Sequence, residues 1–197
     1  MPHQEALTVI ARIRDGQVTP LKRMLGSIRE HNGSWDLVPF AKLARVHFAR
    51  FMVFDATRDL EADPLPPQLV LLTNVDAPLS DHLEELATVC ADGLDAVYAH
   101  CEDYPAPADR SPVTRVRFLE QHSCRSDAVH VNRRGRSVEQ IRQEESLRRE
   151  IDKFLDADNF DALVPATLKE RITAFVRGRS DLGWALRPPV PPALSWR

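Results

Sequence analysis

The sequence predicts an α+β fold organised around antiparallel strands, and three observations predict it. Residues 46–55 and 68–74 are apolar runs of strand length, rich in Val, Leu, Phe and Met. The connection 56–67 carries Asp59, Glu61, Asp63, Pro64, Pro66 and Pro67, which suits an exposed hairpin connection. Around this pair, segments with helical spacing of apolar residues alternate with shorter strand-like ones. The two runs read as adjacent strands at the centre of the sheet. In the first, Phe48, Met52 and Phe54 share one parity and Ala49, Phe51 and Val53 the other. A strand apolar on both sides is expected to be covered on both sides.

Taken in order, residues 6–14 set Leu7, Val9, Ala11 and Ile13 against Thr8, Ile10, Arg12 and Arg14, a strand ended by Asp15-Gly16. Thr19 as N-cap and Pro20 at the first helical position open a helix with the stripe Leu21, Met24, Leu25 and Ile28. Asn32-Gly33 closes it. Residues 35–44, with Trp35 and Phe40, form a loop or short turn before the central strands. Residues 74–78 begin a second helix, whose inner face is Leu79, Leu83, Leu86, Ala87 and Cys90 and whose stop is Asp92-Gly93. Residues 94–101 fit a helix through Leu94, Val97, Tyr98 and Cys101, or a strand through Leu94, Ala96 and Tyr98; the helix is preferred. Residues 104–107 form a turn or extended loop. A short helix over 112–122 turns Val113, Val116, Phe118 and Leu119 inward, and 127–132 form a short strand. Ser137-Val138-Glu139-Gln140 is a capping box opening the longest helix, 138–156, whose sparse apolar residues pack one narrow face. A last helix spans 166–177.

This order begins with the βαββαβ pattern of a ferredoxin-like sheet with helices on one face, extended by C-terminal helices. Residues 1–187 are read as one such domain, and 188–197 as a proline-rich tail ending in Trp196 and Arg197. The second apolar face of 46–55 then needs a cover. A partner subunit or the C-terminal helices would supply it; the preferred arrangement is a partner packed sheet to sheet, giving a homodimer of the α+β barrel kind.

Composition narrows the function classes. A chain of 197 residues with 43% hydrophobic and 28% charged residues is an ordinary globular protein. A net charge of −3 argues against a nucleic-acid binder. Cys90, Cys101 and Cys124 form no C-x-x-C pair, so neither a disulfide framework nor a four-ligand zinc site is expected. The expected setting is cytoplasmic, without a signal peptide or a membrane span. No P-loop, dinucleotide fingerprint, H-E-x-x-H or G-x-S-x-G pattern occurs.

Three blocks carry a resemblance. They are His47-Phe48-Ala49-Arg50-Phe51, Leu71-Leu72-Thr73-Asn74-Val75-Asp76, and the run from Gly93 to Pro105 that contains His100-Cys101-Glu102. They resemble blocks of uncharacterised bacterial proteins of the ferredoxin-like, dimeric α+β barrel group, over about residues 6–155. The wider group includes antibiotic-type monooxygenases, chlorite dismutases and dye-decolorising peroxidases, so the resemblance implies a small-molecule or haem pocket, often oxidative. The peroxidase signature G-x-x-D-G is absent, because Asp92-Gly93 follows Val89 where that signature has Gly.

The candidate site residues are His47, Arg50, Asn74 and His100. His47 and Arg50 lie in an apolar strand, where a polar group needs a partner or a pocket; their odd separation sets them on opposite faces. One of them then serves a ligand cavity as base, haem ligand or anion anchor, against the ordinary reading of a solvated His and a paired Arg. Asn74, Asp76, Asp81 and His82 gather where strand meets helix. There Asn74 or Asp76 serves most simply as a helix cap; His82 reads as an acid–base couple with Asp81 or, since it borders the apolar stripe, as the commoner partly buried, hydrogen-bonded His. His100, Cys101, Glu102 and Tyr104 form the densest reactive cluster, although Cys101 is also spaced as a core residue. Arg133, Arg134 and Arg136 precede a helix N-terminus, as an anion site or as an exposed basic turn answering Glu139, Glu144 and Glu145. Two functions follow: a small-organic-ligand-binding protein with monooxygenase- or peroxidase-like chemistry, or a non-enzymatic accessory protein using the long charged helix and the tail.

Overall fold

The computed structural model describes residues 3–30, 38–126, 135–157 and 165–187. They belong to two compact units, one within 2–134 and one within 135–197.

The first unit opens with strand β1, Gln4–Arg12. Its turn needs Gly16, whose φ of +75° costs a side-chain-bearing residue strain. Helix α1, Val18–Glu30, starts slightly earlier than the Thr19 cap predicts, because the Gln17 carbonyl already accepts the Leu21 N–H. A 3₁₀ turn, Phe40–Lys42, sets the Phe40 ring 6.0 Å from that of Phe51. Strand β2 is Val46–Phe54. The acidic connection folds into a small exposed ribbon, β3 (Thr57–Arg58) with β4 (Pro64–Leu65). Strand β5, Gln68–Asp76, runs past Asn74, so neither Asn74 nor Asp76 caps the next helix. Instead the Glu5 carboxylate accepts the Leu79 N–H at 2.7 Å and ties β1 to the start of α2, Leu79–Val89.

Asp92-Gly93 stops nothing. The break comes earlier, at Cys90, and α3 runs from Ala91 to Tyr98 with both residues inside it. The helical preference for 94–101 holds as far as Tyr98; Cys101 then makes an isolated bridge to Ile13. A 3₁₀ turn at Pro107–Asp109 leads to α4, Pro112–Gln121, capped reciprocally by Ser111 and Thr114. Val113, expected inward, is 66% exposed; Arg115 takes the buried position. Strand β6 is Ser123–Cys124. The strand expected over 127–132, the Asn32-Gly33 stop and Trp35 lie outside the described residues.

The sheet has the order β2-β5-β1-β6 and is antiparallel throughout. Thus β2 and β5 are neighbours, but β2 forms an edge; the centre is β5 and β1. One face, with Leu7, Val9, Ala11, Leu69 and Leu71, is buried in a single core with Leu21, Leu83, Leu86, Leu94, Val97, Tyr98, Phe118 and Leu119 from α1 to α4. On β2, Ala49, Phe51 and Val53 point to that side, because they pair with Thr73, Leu71 and Leu69. The opposite parity of β2 is not covered as expected: Phe48 is 75% and Phe54 49% exposed. An edge strand has a neighbour on one side only, which leaves its outward side chains without flanking cover.

The second unit contains α5, Val138–Ala157, and α6, Pro165–Gly178, followed by a 3₁₀ segment, Ser180–Leu186. Ser137 caps α5 by accepting the Gln140 N–H at 3.1 Å. Phe154 stacks on Phe175 at 4.4 Å, and Arg179 reaches Glu150 at 3.0 Å. Among the described residues no helix is long and apolar enough to cross a membrane.

Candidate functional site

The site is built on the face of the sheet turned away from α1 to α4. Register places Ala6, Thr8 and Ile10 of β1, Phe48, Arg50, Met52 and Phe54 of β2, and Val70, Leu72 and Asn74 of β5 on it. One irregularity changes the expected geometry. Val46 pairs with Val75 and Phe48 with Asn74, so His47 is an extra residue, a β-bulge. The bulge breaks the alternation that would have sent His47 and Arg50 to opposite faces. His47 therefore turns to the same side as Arg50.

His47 ends this face with a polar contact. Its Nε2 lies 2.9 Å from Asp76 Oδ1 and 3.1 Å from Gln4 Nε2. Gln4 and Asp76 are direct cross-strand partners, one step beyond the Ala6–Asn74 pair. The His47 and Asp76 side chains are 8% and 11% exposed. A proton on Nε2 donates to the carboxylate, which fixes the orientation of the ring. Next along the face come Phe48 and Asn74, directly opposed, and then Arg50 and Leu72. Among the described residues no carboxylate pairs with Arg50.

The structure thus brings together His47, Arg50 and Asn74 and leaves His100 elsewhere. His100 sits beyond the other end of β1, where its carbonyl accepts the Arg14 N–H and its Nδ1 lies 2.8 Å from Gln17 Oε1. Gln4 and Arg14 are separated by roughly 30 Å of strand. Burial, then the Arg14 charge, lower the His100 pKa. Beside it, Cys101 is buried and its thiol is pushed up to about 12, chiefly by burial. That thiol is a core group, not a nucleophile. Glu102 pairs with Arg12 at 3.1 Å.

His82 is no partner for Asp81. Asp81 pairs with Arg45 at 2.7 Å, while His82 is wholly buried with Nε2 3.0 Å from Thr73 Oγ1. Burial lowers its pKa to about 4, so the ring is neutral at physiological pH. It braces α2 on β5.

One polar cluster escaped the sequence reading. Arg115 donates to both oxygens of Asp95, at 2.8 and 2.7 Å, and the Tyr104 hydroxyl donates to Asp95 Oδ1 at 2.6 Å. Arg115 hydrogen bonding holds the Asp95 carboxyl below its ordinary pKa. Tyr104 stacks on Tyr98, and both rings meet Phe118 edge-on. With every oxygen of Asp95 engaged, this is a clamp joining α3, the following loop and α4. Asp95 and Arg115 lie twenty residues apart, and no spacing rule links them; the only hint was an arginine at a helix position otherwise set for burial.

Arg133, Arg134 and the tail with Trp196 lie outside the described residues. Arg136 pairs with Glu144, as in the basic-turn reading. Along α5, Arg148 pairs with Glu145 and Asp152, and Lys153 with Glu150, so those charges are answered within the helix. Among the described residues no group of three or more His, Cys, Asp or Glu side chains is placed to hold a metal ion. No family model matches this chain, and neither a curated protein nor a solved structure matches it.

Proposed function

We propose that the protein binds a small organic ligand on the outer face of a ferredoxin-like sheet, and that a second copy of the chain closes that face. The observation that carries this is Phe48, 75% exposed beside Arg50 and Asn74, with the His47–Asp76 pair at one end. An aromatic side chain held out to water on a sheet face gains free energy when covered. Strand order supports the scaffold, since β2-β5-β1-β6 is the order that βαββαβ chains of this kind adopt. Sheet-to-sheet pairing would cover Phe48 and Phe54 and leave polar side chains lining the space between the copies.

A haem does not fit His47, His82 or His100. His47 Nε2 is held by Asp76, His82 is enclosed in the core, and His100 is at the wrong end of β1. The proposal is therefore of a binding site, with no oxidative step attached to it. The accessory reading loses ground because the charges of α5 answer one another.

Sedimentation equilibrium and a visible spectrum test the reading together. The wild type is expected to be a colourless dimer and Phe48→Asp a folded monomer. A wild-type protein that stays monomeric at high micromolar concentration overturns the closing copy, and a Soret band overturns the cofactor-free site.

A further inference from the structure

Arg50 is the group that says what kind of ligand this face takes. It lies near the middle of β2, directly opposite Leu72, with Phe48 and Met52 as its neighbours on the same face. Same-face neighbours on a strand are about 7 Å apart, close enough for one small molecule to touch all three. The carboxylates around the face are already engaged. Asp76 holds His47 at one end, Glu102 holds Arg12 at the other, and Asp55, just past β2, holds Lys22 at 2.6 Å. No described carboxylate reaches the centre. A second copy packed on this face would bring a second Arg50 and no new central acid. Two guanidinium groups would then lose water without a counter-charge, which is strongly unfavourable.

We infer that the ligand of this face is an amphipathic anion, a small carboxylate or sulfonate on an aromatic or aliphatic body. The inference rests on the binding site proposed above. Arg50 takes the anionic head, for which its planar fork of donors is suited. Phe48, Met52 and Leu72 take the body. Asn74, across from Phe48, stands beside the head with an amide that donates or accepts. The chain carries a net charge of −3, so attraction of an anion here is local to this face.

Two matched fluorescent probes test this on the full-length protein. 8-Anilinonaphthalene-1-sulfonate carries the charge, and N-phenyl-1-naphthylamine has the same ring body without it. The sulfonate is expected to bind about tenfold more tightly at low salt. Arg50→Gln should remove that advantage and leave the neutral probe unchanged, while Arg50→Lys should retain part of it. High salt should weaken the sulfonate alone. Equal binding of the two probes, or sulfonate binding untouched by Arg50→Gln, overturns the anionic ligand and leaves the apolar face standing. If neither probe binds, or if Phe48→Asp leaves both unaffected, the face itself is not the site and both readings fall. Arg50 and Phe48 are exposed, so these variants are expected to fold, and their circular dichroism spectra should match the wild type.

Discussion

Nε2 of His47 lies 2.9 Å from Oδ1 of Asp76, and a one-residue bulge in β2 makes the contact possible. Without the extra residue, His47 would follow strict alternation and face the helices. With it, the imidazole joins the polar end of the outer face, above Asn74 and Arg50.

The pair should be energetically coupled. His47→Ala and Asp76→Ala are each expected to destabilise the protein by about 1–2 kcal/mol. The double mutant should fall short of the sum by about 1 kcal/mol. Urea unfolding of the four proteins reads the cycle; strict additivity would show that the contact contributes nothing.

His82 gives the stability a slope in mild acid. Its pKa falls from the ordinary imidazole value to about 4 on folding, because the buried ring resists charging. The unfolded chain therefore binds the proton more readily, and stability drops as pH falls from 6.5 towards 4. At pH 5 the expected loss relative to pH 7 is about 2 kcal/mol. In His82→Asn this loss should disappear from the pH 7 to pH 5 difference, whatever the variant's stability at pH 7.

Asp95 acts in a lower window. Arg115 depresses its folded pKa, so its contribution is complete above the ordinary carboxylate range and is lost as pH falls through the depressed value. Breaking the clamp by Asp95→Asn leaves a largely buried guanidinium without its counter-charge and is expected to cost about 3 kcal/mol. Thermal melts at neutral pH should show it; an unchanged Tm would mean the clamp is dispensable.

The thiols should divide by burial. Cys90 and Cys101 are buried, with pKa values raised to about 11 and about 12, while Cys124 is exposed. Ellman's reagent on the native protein should titrate Cys124 rapidly and the other two only after unfolding. Rapid loss of all three thiols in the native state would contradict the packing around α2 and α3.

Local pattern carried much of the fold. The alternation of Leu7, Val9 and Ala11, the stripe Leu83, Leu86 and Cys90, and the Ser137 cap are short-range signals, and the corresponding elements formed. Errors came where two elements had to be compared. Val113 looked apolar enough to be inside, but Asp95 on another helix drew Arg115 into that place. Asp76 looked like a cap for α2, but Glu5, seventy-four residues from Leu79, took that role.

The sequence by itself determined the α+β class and the adjacency of β2 and β5, because these depend on periodicity along a single strand or helix and on the short connection between the two strands. Only the tertiary structure decided that β2 is an edge, that His47 turns to the side of Arg50, and that His100 does not. Pairing register and bulges arise from hydrogen bonds between strands distant in the chain, and no spacing within one segment encodes them.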